Sequence, residues 1–461
     1  MEYTDVIDKI WSYAELGFEE YKSSQCLVDF LVENDFEVEK GIAQMETAFV
    51  ASYGSGKPVI SFLCEYDALA GLNQSEDSIE HKPITKVEDN GHGCGHQLLG
   101  AGAALAGIQY KNYLRDNNLV GTVKVYGCPG EESGSGKAFM ARDGYFKDDD
   151  ICLTWHPGTI NKVTSGSSLS NIQAYYRFYG KSAHAAGAPH LGRSALDAVE
   201  LMNVGVNFLR EHMESSDRIH YAITNTGGES PNVVQSFAEV RYFVRSNNNH
   251  KTIDLYNRVN DIAKGAALMT GCKYEIIFFE GLSNLLPNFT LEKVLKQSFL
   301  ECKPVKYSED DLAYAQKFKE TANIEEILNL DYSDIVDQGK LLNHIKNNPI
   351  NDYFVDSKSN LETSMGSTDV GDTSWLCPTA QIKTACYNYG YLGHTYQWVA
   401  QGKSTIAKKG AKYAADVLTK AAIILHSKPE IIKEARKEFE ERSIIGYKCL
   451  IPKDAKPENI K

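Results

Sequence analysis

At 461 residues, with 43% hydrophobic and 24% charged residues, the chain has an ordinary globular composition and is too long for one small core, so two domains are expected. A formal net charge of −13 argues against a nucleic-acid partner, which needs a basic face. No run approaches the roughly 18 uncharged apolar residues of a membrane span, and the start MEYTDVIDKIWSYAELGF lacks the apolar core of a signal peptide.

The predicted elements run as follows. Val6, Ile10 and Trp11, then Cys26, Leu27, Phe30 and Leu31, are spaced as on helices, with a break near Gly17. An apolar strand follows at 59–64. GHQLLGAGAALAGIQYKNYL reads as a helix, GTVKVYGCP as a strand over 121–128, GKAFMARDGYF as a short helix and DICLTWHPG as a strand over about 150–155. This βαβαβ order predicts a parallel sheet covered by helices. Near residue 170 the texture changes. SNIQAYYRFYGKSAHAAG, RSALDAVELMNVGVNFLREHM, HYAITNTGG, VVQSFAEVRYFVR, HKTIDLYNRVNDIAKGAALMTG and KYEIIFFEGL give a β-α-β-β-α-β, ferredoxin-like order. The expected layout is a catalytic α/β domain, 1–170 and 288–461, interrupted by an α+β domain at 171–287. The α/β texture returns from 289, with a strand over 379–390 and the helix KSTIAKKGAKYAADVLTKAAIILH. Residues 303–360 are polar and poorly periodic, and read as a surface excursion with one weak helix.

Several of the ten cysteines lie in apolar runs, as in VISFLCEYD and DICLTW. They read as reduced core thiols without a disulfide framework, which points to a cytoplasmic protein.

Ligands of open α/β sheets bind beyond the carboxyl ends of the strands. There the chain places Glu65 and Asp67, Glu131 and Glu132, His156, and His394, with Cys94 and His96 at a helix start. Each alone has a bland reading. A lone buried cysteine is usually packing, and two adjacent glutamates are usually a solvated patch. Together, a thiol, imidazoles and carboxylates suit a borderline-soft divalent ion. Glycines flanking Cys94 permit a sharp turn. Of the two imidazoles beside it, His96 is expected in the site and His92 in support of the turn. Where two carboxylates adjoin at a metal rim, one ligates and the other, raised in pKa, is free to take a proton from water. Hydrolysis of an amide or ester is the chemistry implied.

GHGCGHQLLG, CPGEESGSG, TWHPG, GKSAHAAGAPHLGRSALDAV and the late Gly393-His394 together resemble the M20 metallopeptidase and amidohydrolase family, in its aminoacylase and hippurate-hydrolase-like branch. EYDALAGLNQ and STDVGD are most similar to the aminobenzoyl-glutamate utilization B group, with β-alanyl-lysine dipeptidase-like proteins next. The resemblance implies two divalent ions, Mn²⁺ or Zn²⁺. It makes Cys94 the bridging ligand, with His96, Glu132, His156 and His394 as the others. Glu131 becomes the general base and Asp67 a residue orienting a ligand. Peptidase members carry a ligand histidine where this chain has Glu65, which leaves open whether Glu65 touches metal.

The inserted domain becomes a lid and dimerisation domain. His184 would stabilise an oxyanion in the partner subunit's site; without the resemblance it reads as a loop histidine capping the helix that begins near Arg193. Asn232 and Arg245, read as strand-end residues, would hold a substrate carboxylate; the plain alternative is hairpin packing and a surface charge. Two departures from the family are the missing histidine in WSYAELGFEE and Ala70 in place of proline. The expected function is cleavage of an N-acyl amino acid or dipeptide-like amide, with aminobenzoyl-glutamate as the favoured substrate. Partners would be a second copy of the chain or a homologous A subunit. A non-catalytic binding module on the same fold is the alternative. A purely structural zinc site fits poorly, because the ligands are widely spread and include carboxylates.

Overall fold

The computed structural model describes residues 1–132 and 134–457, so Ser133 of the EESGSG segment lies outside the described residues. The chain forms two compact units. The first comprises Met1–Ser167, Leu286–Glu362 and Thr373–Gly446; the second comprises Ser168–Leu285, Thr363–Asp372 and the chain from Tyr447 onward. The main stretch of the second unit is Ser168–Leu285. Residues 363–372 and the described residues 447–457 also group with this unit. Arg245 Nη1 donates to the Met365 carbonyl (2.9 Å), and Asn249 Nδ2 donates to the Lys448 carbonyl (2.7 Å).

The sheet of the first unit contains β1 (Glu37–Lys40), β2 (Phe49–Ser55), β3 (Val59–Cys64), β4 (Gly121–Gly127), β5 (Ile151–Gly158) and β6 (Lys162–Thr164). The small sheet of the second unit uses β7 (Ser170–Tyr179), β8 (Arg218–Asn225), β9 (Phe237–Ser246) and β10 (Lys273–Leu282), and β11 (Thr379–Ala385) returns to the first. The large sheet has seven strands in the order β1-β2-β4-β3-β5-β11-β6. The inner strands β4, β3, β5 and β11 are parallel, as expected. The flanking strands β1, β2 and β6 are antiparallel, in keeping with the mostly parallel sheet expected. β1 reads EVEK and is largely exposed, so it carries no apolar signal. β5 extends past the expected end and includes His156, whereas β11 stops short of 390.

From β3 the chain passes through the helix His96–Asp116 to β4 on one side, then through the helix Gly136–Arg142 to β5 on the other. The strand order therefore reverses at β3, which opens a crevice at its carboxyl end. Right-handed crossovers in opposite directions place the two helices on opposite faces. The helix His96–Asp116 is rich in Gly and Ala because it lies close to its neighbours. A Cβ on Gly102 would stand 2.7 Å from Trp155 Cζ2 and 3.1 Å from the Ala411 carbonyl oxygen. Trp155 Nε1 also donates to the Leu99 carbonyl (3.0 Å), fixing helix to strand.

Residues 303–360 correct the expectation of a surface excursion. They form the helices Glu309–Lys319, Ile324–Leu328 and Gln338–Asn347. Ile327, Ile335, Leu341, Ile345 and Val355 make a small buried cluster with Tyr389. The apolar residues are sparse and spread over short helices, so no window shows a helical period. The helix starts are nonetheless written in the sequence: Ser308 and Asp311 form a capping box, and Asp337 accepts from the Lys340 N–H.

The second unit has the expected β-α-β-β-α-β order, with the helices Ala195–Leu209 and Asn249–Thr270. Its sheet runs β10-β7-β9-β8 and is wholly antiparallel. Alternate residues Ala174, Tyr176 and Phe178 on β7, and Ala238, Val240, Tyr242 and Val244 on β9, form one core with the helices. The chain is a mixed α/β protein with an inserted α+β unit. Among the described residues no helix is long and apolar enough to cross a membrane, and all ten cysteines are free.

Gly102→Leu overpacks the helix against Trp155. We expect a loss of about 1–3 kcal/mol of stability, read as a lower urea midpoint; an unchanged midpoint would show that the contact is loose.

Candidate metal centre

The site is built on loops leaving β3 and β4, on β5, and on the start of the helix His96–Asp116. Gly95 makes the entry to that helix. It has φ +85°, and a Cβ there would stand 2.6 Å from the Tyr387 hydroxyl and 3.1 Å from Pro157 Cγ. Glycine is required on both counts. His92 is turned away, with Nε2 donating to the Ile10 carbonyl (3.0 Å), and burial lowers its pKa to about 4. It anchors the turn.

His96 is fully buried. Its Nδ1 donates to Asp67 Oδ1 (2.7 Å), which leaves Nε2 as a free donor atom for a ligand. Nε2 stands 3.3 Å from Glu65 Oε2, 3.9 Å from Glu132 Oε1 and 4.0 Å from Glu131 Oε2. The second oxygen of Asp67 accepts the Glu132 N–H (2.8 Å). His156 Nδ1 donates to the Pro157 carbonyl (2.7 Å), so Nε2 is the free donor atom, 3.3 Å from Cys94 Sγ. Burial, and then the nearby Lys383 charge, lower the His156 pKa to about 4. His394 follows β11 on a loop and sits at φ 65°, an uncommon conformation for a residue with a side chain. Its N–H donates to the Gly93 carbonyl (2.7 Å), and its Nε2 lies 3.3 Å from Glu132 Oε1.

Among the described residues, donor atoms within 4.8 Å of one another form three groups: Cys94, His96 and His156; Cys94, Glu132 and His394; and Glu65, His96 and Glu131. Cys94 belongs to the first two, so one thiol stands between two sets of ligands. His96 Nε2 and Glu132 Oε1 are buried and form no well-directed hydrogen bond. Such orphaned atoms are costly unless a ligand satisfies them, and the donor set of S, N and O fits divalent cations.

The electrostatics follow from this crowding. Burial opposes the charge on Glu132, yet His394 and His96 hold its carboxyl below the usual range. Burial likewise opposes the charge on Glu65, and Lys137 outweighs it. The Lys137 ammonium is fully buried and pairs with Glu65 Oε1 at 2.7 Å. Burial pushes the Cys94 thiol up, the reverse of what a ligand thiolate needs without a cation beside it. Behind the centre, the buried Glu20 accepts from the Gly130 N–H (2.8 Å) and the Thr47 hydroxyl (3.1 Å). Burial and then the Asp67 charge raise its carboxyl to about 8.

Lys137 and Glu20 escaped the sequence reading. Lys137 sits in an unremarkable short helix. Glu20 stands beside Glu19 in a segment without periodicity, and only its burial marks it.

In the second unit, His184 lies on an exposed loop, and its Nδ1 accepts the Ala186 and Gly187 N–H groups (3.2 and 3.0 Å). It does not cap the following helix; Ser194 does, accepting from the Asp197 N–H. Arg245 lies near the end of β9, its guanidinium 3.9 Å from the Phe243 ring centroid and its Nε buried without a hydrogen bond. Asn232 is in a turn rather than at a strand end; its carbonyl accepts the Ala185 N–H (2.9 Å). Pro231 cannot donate to a ladder, which keeps this stretch out of the sheet. Asn171, paired with Arg245 in the register, is fully buried with neither amide atom hydrogen-bonded.

Comparison with known proteins follows the same division. The peptidase dimerisation domain profile matches residues 169–269. Over its whole length the chain is 42% identical to the B component of the p-aminobenzoyl-glutamate hydrolase of Escherichia coli, covering 96% of that protein. The chain belongs to the M20 peptidase family. As a member it is a metal-dependent hydrolase acting on amide bonds. It is also 27% identical to the Xaa-Arg dipeptidase of Mus musculus, over 94% of this chain and 87% of that one. A dinuclear metal-binding M20 peptidase from Bacillus subtilis shares the fold, with a TM-score of 0.57 and 15% identity over 92% of this chain and 98% of that one.

Asp67→Asn keeps an acceptor for His96 but places an NH₂ group against the Glu132 N–H. We expect metal affinity to fall about 10–100-fold by calorimetric titration, with the fold retained; unchanged affinity would remove Asp67 from the account.

Proposed function

We propose that the chain hydrolyses the amide of N-acyl amino acids or dipeptide-like substrates carrying a free carboxylate, with aminobenzoyl-glutamate as the model substrate. One observation carries this reading: Cys94 is shared by two ligand groups, with Glu131 beside them. In this reading Cys94, His96, His156, Glu132 and His394 would hold two divalent ions, Mn²⁺ or Zn²⁺. Bound there, such ions would supply Lewis acidity toward the scissile carbonyl and the attacking water. Glu131, partly exposed at the centre with Oε2 4.0 Å from His96 Nε2, takes the proton from that water and returns it to the leaving amine. Asp67 fixes the ring of His96.

His184 is suited to stabilise the developing oxyanion, because two N–H groups on Nδ1 leave the proton on Nε2. Arg245 and Asn232 are assigned to the substrate carboxylate; the unsatisfied Nε of Arg245 supports this. The match to a dimerisation domain supports self-association. The Escherichia coli relative is named as one component of a hydrolase, which makes a homologous A subunit the second candidate partner. The relation to a dipeptidase keeps dipeptides in the substrate class.

Glu131→Ala should lower kcat by roughly 10²–10⁴ with metal content near that of the wild type. Full activity in this variant contradicts the mechanism. Chelation should abolish turnover on N-acyl amino acids, and Mn²⁺ or Zn²⁺ should restore it; activity that persists without metal contradicts the reading.

A further inference from the structure

We propose that Lys383 binds a carboxylate of the substrate and makes the catalytic unit selective for acidic substrates. The inference rests on the amidohydrolase reading above.

Lys383 lies on β11. The register sets it opposite His156 of β5 on one side and Lys162 of β6 on the other. Residues paired in register share a face of the sheet. An imidazole and two ammonium groups therefore form a row running outward from the metal centre. The outer ammonium, Lys162, is paired with Asp334. Among the described residues no carboxylate or carbonyl stands within ion-pair or hydrogen-bond distance of Lys383; the charges that act on it are those of Lys162, Cys94 and Asp334. Its stem passes over Gly158, where a Cβ would stand 3.7 Å from Lys383 Cβ and Cδ, in ordinary van der Waals contact.

Among the described residues Lys383 is left without a direct partner in the fold. Lys383 is part-buried as a residue, pairs in register with a second lysine, and lies next to a centre built for cations. Cys94 and Asp334 favour its charge from a distance, but among the described residues no anion pairs with it directly. An incoming carboxylate can. Because Lys383 neighbours His156 and Cys94, that carboxylate belongs to a molecule whose scissile bond lies at the metal centre. A glutamate side chain on the amine side and an acidic acyl group on the other both fit this chemistry.

The test compares metal-loaded wild type with K383M, and with K383Q as a second variant should K383M not fold. The amine-side pair is N-(4-aminobenzoyl)-glutamate against N-(4-aminobenzoyl)-glutamine. The acyl-side pair is N-succinyl-alanine against N-butyryl-alanine. We expect wild type to prefer the charged member of one pair, which identifies the side. In the variant, kcat/KM on that member should fall about 10–100-fold, with little change on its neutral counterpart and unchanged metal content. Equal losses on both members, or no loss on either, overturn the proposal, as does loss of metal. Calorimetric binding of glutarate to the metal-loaded proteins judges Lys383 without turnover. If wild type cleaves no substrate yet binds glutarate more tightly than K383M, the activity reading fails and the carboxylate site stands. Equal glutarate affinity sinks the site whatever the activity.

Discussion

The carboxylate of Asp67 ties the centre together. One oxygen takes the His96 N–H and the other takes the Glu132 N–H, at 2.7 and 2.8 Å. A helix start and a strand-end turn, separated by some 36 residues of chain, are thereby set at a fixed spacing. Asp67 can do this because it leaves β3, the strand at which the sheet order reverses. Glu20 adds a second tie from behind, holding the Gly130 N–H one residue before the Glu131-Glu132 pair. The two acids thus position the turn through its backbone groups.

The centre is rich in acid for the cations it faces. Glu65, Asp67, Glu131 and Glu132 converge there, and Lys137 is the buried ammonium paired with one of them. Each carboxylate brought out of water needs a partner. Hydrogen bonds satisfy Asp67, and Lys137 satisfies one oxygen of Glu65. Glu132 Oε1 and His96 Nε2 form no well-directed hydrogen bond and lie among the atoms grouped around Cys94. The neutral tautomer of His156 is set by the Pro157 carbonyl. Removing Lys137 would leave Glu65 charged and buried, so its role is to keep an excess of negative charge tolerable within the core.

Much of this was legible in the chain. Short apolar runs marked the inner strands, and chemistry-bearing residues directly after them marked the rim. Hence Asp67, Cys94, His96, Glu131, Glu132, His156 and His394 could be named as neighbours from sequence order alone. The ferredoxin-like insertion was equally clear, because its strands alternate and its helices are amphipathic. Other features depend on register and burial, which no local pattern encodes. Lys383 looks like any polar residue of an alternating strand until β5 and β6 are set beside it. Asn232 was read as strand because Val233 and Val234 follow it, but Pro231 breaks the ladder. The helices of 303–360 bury only a few apolar side chains each, too few to stand out against their polar flanks.

The central claim is that one thiol lies between two cations. Anomalous diffraction from crystals grown with Zn²⁺ or Mn²⁺ tests it most directly. The account predicts two peaks per chain, about 3.5–4 Å apart, both within bonding distance of Cys94 Sγ. A single peak, or two peaks of which neither touches Cys94, would contradict it.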